Sequence, residues 1–500
     1  MYRKTNKEQQ TIEDFFLPFG GKLDAQNRWV KLAKITPWDR IEEYYIQSMS
    51  QETGRGAISA RIAFGAVCLR QSERLSDEDT VRYIQENPYV QYYLGLHEFH
   101  MKPLFDASMM VHFRKRFPIE FIAKVNEYIC TGKWPEDMRN VDRNDDDPGQ
   151  GSGGGGSETV PEEADSAPNN GTLIMDATVA NADIRYPTDI DLLNQCREHL
   201  ESAIDLLWTY VPHDQHKYPY NKKKARQAYL SISKSKKWTA KKLHTGIGQQ
   251  LWYIEKAMER LKEMQGLVPG WEEKFPCWLK ERMLVLPAVY LQQKEMYDSG
   301  TRRCENRIVS LQQPHVHPIV RGKRPEPTEF GQKLHLSVVD GYTFIEQTCW
   351  NNYNEGKDLP EVVENYHRRY GCYPNAVLAD RIYQTRENRS YCKTRGIRLS
   401  GPALGRPKDE SAKEANKAQM YQDACDRNVV EGKNGTAKRR YGLNRIMSKL
   451  DETSKTEAGF AILMMNAWKR VYRELLRSFL QFIFSGAEAL SQLAYFPVFQ

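Results

Sequence analysis

Between residues 1 and 141, apolar positions recur at helical spacing over Asp39–Ser48, Ala57–Arg70, Ser76–Glu86 and Ser108–Phe117. Pro88 and Pro118 punctuate the pattern, and Ser76 with Asp79 forms a candidate capping box. From 142 to 170 there is nothing apolar to bury: DDDPGQGSGGGGSE leads into an acidic run containing proline, the composition of a linker. At Thr172–Val179, TLIMDATV, the spacing changes to a short apolar run rich in β-branched residues, which predicts a buried strand holding Asp176. Long amphipathic helices return at Leu193–Trp208 and Leu243–Met264, and Pro276 and Pro287 are expected to limit the next one. Strand alternation reappears in Lys333–Trp350, with Asp340-Gly341 as the tight turn of a hairpin. A helix over Pro360–Tyr370 follows, then a short strand over Ala376–Ala379 that ends at Asp380. Glu387–Arg395 reads as a helix stopped by Gly396, and Ile397–Ser400 as a last strand. The chain then carries Glu431 on a basic helix and ends in a helix over Thr456–Phe484, with Trp468, Leu475 and Phe479 on its apolar face.

Strand, hairpin, helix, strand, helix, strand and helix is the order of a ribonuclease-H-like α/β layout, provided residues 189–332 are an insertion after the first strand. The expected division is a helical N-terminal domain for DNA binding or dimerisation over 1–141 and an acidic Gly/Ser linker over 142–170. A catalytic domain follows over 171–188 and 333–485, interrupted by a mostly helical, basic insertion over 189–332, with a C-terminal tail over 486–500.

Charge sharpens this picture. The formal net charge is +7, but residues 142–170 carry a net −7, so the remainder carries +14. A basic body favours a polyanionic partner. The nine cysteines contain no C-x-x-C pair and no zinc-like Cys/His spacing, and they read as reduced thiols. The start, MYRKTNKEQQ, has no apolar core of a signal peptide. No uncharged apolar run reaches the roughly 18 residues of a membrane span. Gly459–Met465 comes nearest and is broken by Asn466, Lys469 and Arg470. The expected location is therefore the cytoplasm, on the nucleoid when bound to DNA.

The candidate chemistry centres on Arg427–Arg445, RNVVEGKNGTAKRRYGLNR, in which Glu431 is the only acid. On a helix Arg427, Lys438 and Arg439 fall near the face of Glu431. A lone carboxylate among bases suits a group that holds a metal beside a phosphodiester; the plainer reading is a solvated basic helix. A second basic run, Lys222–Lys242, holds nine bases and no acid, among them Lys222, Lys223, Lys224, Arg226, Lys236 and Lys237, with Tyr229 and Trp238 interleaved. Such a run fits a surface that grips phosphate and stacks bases; the plainer reading is a solvated helical face with its aromatics on the core, and the absence of any acid in the run favours the DNA contact. Arg114 and Arg116 close a short basic helix that could contact DNA in a helix-turn-helix-like unit or belong to a scaffold. His315 and His317 lie between prolines and read as a structural loop, and Asp183, Asp189 and Asp191 as turn and cap residues. No Ser/His/Asp or Cys/His arrangement and no phosphate-binding G-x-x-x-x-G-K-[ST] loop stands out, so no ATP requirement is expected.

Three stretches resemble the DDE transposases of bacterial insertion sequences, particularly the insertion sequence five family. They are DATVANADIRYPTD from Asp176, LADRIYQTRENRSYCKTRGI around Asp380, and the R-x3-E-x6-K spacing of Arg427, Glu431 and Lys438. PWDRIEEYY, LSDEDTVRYIQENPYVQYYLGL and MMVHFRKRF are similar to the N-terminal domain of that group. Two departures are Ala424, where the family usually has Tyr, and Arg381, where it has Lys or a small residue. The resemblance implies a catalytic and metal-binding triad of Asp176, Asp380 and Glu431. All-oxygen ligands favour two Mg²⁺ or Mn²⁺ ions. It also implies cutting and joining of element ends by two-metal phosphoryl transfer. The expected partners are double-stranded DNA, as terminal inverted repeats and target, and a second copy of the chain in a homodimer or larger assembly. A metal-dependent nuclease of the same fold, or a DNA-binding protein with a silent site, remains as an alternative.

Overall fold

The computed structural model describes residues 12–493, apart from 19, 50–55, 138–167, 215, 217, 219, 236, 322–327 and 403–409. Most of the expected linker thus lies outside the described residues, as does the chain after 493.

The N-terminal region is helical: α1 (Arg28–Ile35), α2 (Trp38–Gln47), α3 (Ala60–Glu73), α4 (Asp77–Glu86), α5 (Pro88–Tyr93), α6 (Met109–Arg116) and α7 (Ile119–Thr131). Side-chain caps start several of them. Ser76 Oγ accepts from Asp79 N at 3.0 Å and donates to the Asp79 carboxylate at 2.8 Å. The core these helices enclose is not theirs alone. Trp29, Phe64 and Phe117 pack against Phe460 and Trp468 of the long C-terminal helix. Each large apolar side chain buried in this way contributes roughly 1.5–3 kcal/mol.

Strand β1 (Thr172–Asn181) is the centre of a mixed sheet. It pairs antiparallel with β3 (Thr328–Val339) and parallel with β5 (Ala376–Leu378). β4 (Tyr342–Cys349) pairs antiparallel with β3, and β6 (Arg398–Leu399) parallel with β5. The β3–β4 turn puts Asp340 at φ 51° and Gly341 at φ 72°, the left-handed pair of a two-residue hairpin. β1 is apolar on both faces because both are covered. Leu173 and Met175 pack against Leu359, Val362 and Val363 of α13 (Leu359–Tyr370). Ile174 packs on the opposite face with Val338, Leu378 and Val430. Val430 belongs to α15 (Glu410–Arg440), which crosses that face after α14 (Arg386–Thr394).

Helix α16 (Asp451–Leu493) runs past the expected end at Phe484 and past the expected start of a tail at 486. It lies against α7, α3 and β4. Asn466, which breaks the apolar run in the sequence, is fully buried. Its Nδ2 donates to Asn126 Oδ1 at 2.8 Å, and its Oδ1 accepts from Thr343 N at 3.0 Å. It stitches the N-terminal region, the hairpin and α16 together. Nearby, Arg369 of α13 donates to Glu346 of β4 and to Glu127 of α7, and Arg368 also pairs with Glu127.

The segment between β1 and β3 is largely helical: α8 (Asp189–Trp208), α9 (Lys222–Ser233), α10 (Ala240–Leu267), the short α11 (Trp271–Lys274) and α12 (Cys277–Asp298). Its core joins Leu193, Leu200 and Ile204 to Ile254, Leu261 and Val289. Two expectations change here. Pro287 does not limit a helix but lies inside α12, where the buried neighbours Leu286, Val289 and Tyr290 hold the turn together despite the missing N–H. The segment also ends in a strand, β2 (Pro318–Val320), paired antiparallel with a β3 that begins at Thr328, not Lys333. No helix among the described residues is long and apolar enough to cross a membrane.

Candidate active site

Register brings the first two carboxylates together. The parallel pairing of β1 with β5 sets Ile174 opposite Leu378. Asp176 and Asp380 each follow by two positions, Asp176 still within β1 and Asp380 just past the end of β5, and both line the same cleft. Period-two alternation turns Asp176 to the face of Ile174, the face that α15 covers. On α15, Val430 anchors the helix in the apolar cluster and the next residue is Glu431. One turn on, Asn434 Nδ2 donates to Asp176 Oδ2 at 3.0 Å. One turn back, Arg427 Nη1 stands 3.8 Å from Asp380 Oδ1. Asp380 also caps the short turn Arg381–Tyr383, accepting from Arg381 N at 2.7 Å.

Asp176, Asp380, Glu431, Arg427 and Lys438 therefore line one open cleft of about 870 Å³. The same cleft holds residues that sequence reasoning passed over. Glu329 is paired with Arg321, and Glu355 with Lys333. Arg321 Nη2 also donates to Ala177 O at 3.1 Å, where β5 is too short to cover β1. Tyr383 lines the cleft too, and behind it is a buried chain of polar groups. His335, fully buried on β3, donates from Nδ1 to Asp358 Oδ2 at 3.0 Å. Its Nε2 accepts from the Tyr383 hydroxyl at 2.9 Å. Burial first, then the charges of Glu355 and Asp176, pushes the Tyr383 phenol far above its ordinary range, so it stays a neutral donor. Asn388 ties the two loops that carry these groups, donating to Gly356 O and Tyr383 O. Asn434 was legible in principle, three residues after Glu431 on the same face; the His335 chain was not, because its members are far apart in sequence.

Among the described residues no three His, Cys, Asp or Glu side chains are gathered tightly enough to hold a metal ion. The donor set nevertheless suits a hard cation. It is all oxygen, and Asn434 Oδ1, beside Asp176, is buried with no hydrogen-bond partner.

The other candidates lie elsewhere. Lys223, Lys224, Arg226 and Lys237 are exposed on or near α9, away from the cleft lining, while Lys222 is paired with Asp205. Lys236 lies outside the described residues. Arg439 is exposed at the end of α15. Arg114 departs from the expected basic surface: it is buried, and its guanidinium makes a two-pronged pair with Asp77 at 2.7 and 2.8 Å that holds α6 to α4, the scaffold role. Arg116 is half-buried over the Tyr45 ring, with Nη1 donating to Tyr45 Oη. His315 packs edge-on to Trp350. Asp183 pairs with Arg445, Asp189 with Arg307, and Asp191 accepts from the Tyr229 hydroxyl.

Comparison with known proteins adds the class. Residues 377–467, which include Asp380 and Glu431, match the family described as transposase DDE domain, and residues 18–116 match the transposase domain family (DUF772). These matches support a DDE transposase of an insertion sequence, a mobile element. The chain is also 35% identical over 102 residues to the uncharacterized protein ORF8 in the nfe locus of Rhizobium meliloti, a stretch covering 20% of this chain. It spans about half the length of that relative, 49%. No solved structure matches the chain.

Proposed function

We propose that the chain cuts the ends of its own insertion sequence and joins them to target DNA, on a ribonuclease-H-like domain whose catalytic groups are Asp176, Asp380 and Glu431. The observation that carries this reading is the β1–β5 register, which sets Asp176 level with Asp380 under the helix that bears Glu431. The strand order β4-β3-β1-β5-β6, with β3 antiparallel to the other four, supports the same fold.

In this reading the three carboxylates hold Mg²⁺ or Mn²⁺. When bound, two such ions supply a nucleophile at neutral pH and stabilise the leaving 3′-oxygen. The chain's own groups position the DNA. Lys438 grips a phosphate beside the scissile one, and Arg427 balances the Asp380 carboxylate. The His335–Tyr383 bond keeps the Asp380 turn in place. Water in the nucleophile's place nicks the strand, and the freed 3′-hydroxyl in the same place joins it to target. Two ends must meet, so two copies of the chain assemble on DNA.

The test uses duplexes carrying the inverted repeats that flank the gene. With Mg²⁺ or Mn²⁺ the protein cuts at the repeat and joins it to a second duplex; with Ca²⁺ or a chelator it binds without cutting. Joining in chelator would sink the metal-held mechanism. Hydrolysis without joining would mark a nuclease of the same fold.

The basic face of α9 serves as an outlying DNA surface. Lys223→Glu, Lys224→Glu and Arg226→Glu together weaken binding, and the slope of log K against log salt falls by about 0.9 for each phosphate that is no longer neutralised. Lys222 is left intact because it holds Asp205. An unchanged slope in a binding titration would remove this face from the DNA path.

A further inference from the structure

The strand β2, outside the expected sheet, pairs with the start of β3 to form a ribbon beside the carboxylate cleft. Its cross-strand pairs alternate between faces. Ile319 and Glu329 face the carboxylate cleft. Pro318 and Phe330 face a second pocket of about 620 Å³, and Val320, 61% exposed at the rim, borders both.

The second pocket has the chemistry of a nucleotide site. The Tyr186 ring is 68% exposed and stands edge-on to Phe330, with centroids 5.5 Å apart. Arg302 and Arg303 line the pocket and are exposed. Among the described residues lining it the one carboxylate is Asp189, already paired with Arg307, so the two arginines are uncompensated there. An open aromatic face next to uncompensated guanidinium groups recognises a base and its phosphate together. Nothing in the cutting chemistry uses Tyr186, and its edge-on contact with Phe330 still leaves two-thirds of the side chain exposed beside the pocket.

We propose that this pocket seats a nucleotide next to the scissile phosphate, with its phosphate on Arg302 and Arg303 and its base on Tyr186, after the strand has passed over Val320. The inference rests on the reading that the carboxylate cleft cuts DNA, and it gives that site a second subsite on the other face of the ribbon.

The experiment places 2-aminopurine at single positions of either strand of an inverted-repeat duplex and reads its fluorescence on binding, alongside cleavage kinetics with Mg²⁺. With the wild type, one or two positions flanking the cut change their emission on binding. Tyr186→Ala returns those positions to the level of free duplex and raises KM on the order of tenfold. Tyr186→Phe keeps both signal and KM. Arg302→Ser with Arg303→Ser flattens the salt dependence of binding by about 0.9 for each phosphate released. Normal cutting together with a signal and KM that ignore Tyr186→Ala would overturn the pocket and leave the cutting reading intact. A Tyr186-dependent signal without cutting by the wild type would do the reverse. Because Tyr186 is so exposed, its variants retain the wild-type melting temperature, which a thermal melt checks.

Discussion

Glu431→Gln abolishes DNA cleavage, by about a thousandfold or more, while the protein folds and binds element ends as before. The substitution keeps the size of the side chain and removes only its charge. Glu431 is exposed, so no packing depends on it. Helix α15 is seated by Val430 in the apolar cluster and by the bond from Asn434 to Asp176, both untouched. What is lost is one of the carboxylates that would hold the cation, and groups that act as a unit lose nearly all activity when one is removed. Asp176→Asn and Asp380→Asn have the same effect. Lys438→Ala behaves differently: it removes a grip on phosphate and not a cation ligand, so KM for DNA rises and much of the turnover returns at high DNA concentration. Gel assays of cleavage and binding separate the two kinds of variant. Cutting by Glu431→Gln at near the wild-type rate, or loss of its fold, would show that Glu431 is not catalytic.

Arg369→Met is the most destabilising single change expected, at about 3–5 kcal/mol. Glu346 and the Arg369 side chain are almost wholly buried, and Arg369 is the cation shared by Glu346 and Glu127. Burial pushes the Glu346 carboxyl up, but the Arg369 charge and the hydrogen bonds of Arg369 and Ser337 outweigh it and hold the group below its ordinary value. Without Arg369, Glu346 is left buried and unpaired. Glu346→Gln in the same chain recovers part of the loss, because it deletes the orphaned charge. The pH dependence follows from the lowered pKa. A depressed carboxyl stabilises the fold above its unfolded pKa of about 4.3 and loses that contribution as the pH falls through the folded value. The difference between wild type and Arg369→Met therefore shrinks in acid. Urea unfolding at neutral and acidic pH measures it; equal stability at neutral pH would show that the network is dispensable.

The periodic elements were legible from local pattern. The helices of the N-terminal region, the strand around Asp176, the Asp340-Gly341 turn and the helix through Glu431 all follow from spacing and turn chemistry within a few residues. Where a neighbour distant in sequence decides the outcome, local pattern failed. Pro287 reads as a helix end, yet packing on both sides carries α12 through it. Arg114 reads as a basic surface residue, yet Asp77 takes it into the interior. The ribbon of β2 with β3 was missed because Pro318–Val320 is too short to show alternation alone; its partner strand makes it a strand.

The sequence by itself determined which residues could do chemistry: acids in apolar or basic surroundings, where an unpaired charge is costly unless it has a use. Only the tertiary structure decided which of them meet. Asp176 and Asp380 are 204 positions apart and become neighbours because a parallel register fixes them two residues past a paired Ile174 and Leu378. Glu431 lines the same cleft because Val430, next to it, has an apolar cluster to fill on that face. The basic residues of α9 share no element with that cleft and remain apart from it. Side-chain type is written locally, whereas proximity depends on strand register and on which face of the sheet each helix covers, and both are set by packing between distant segments.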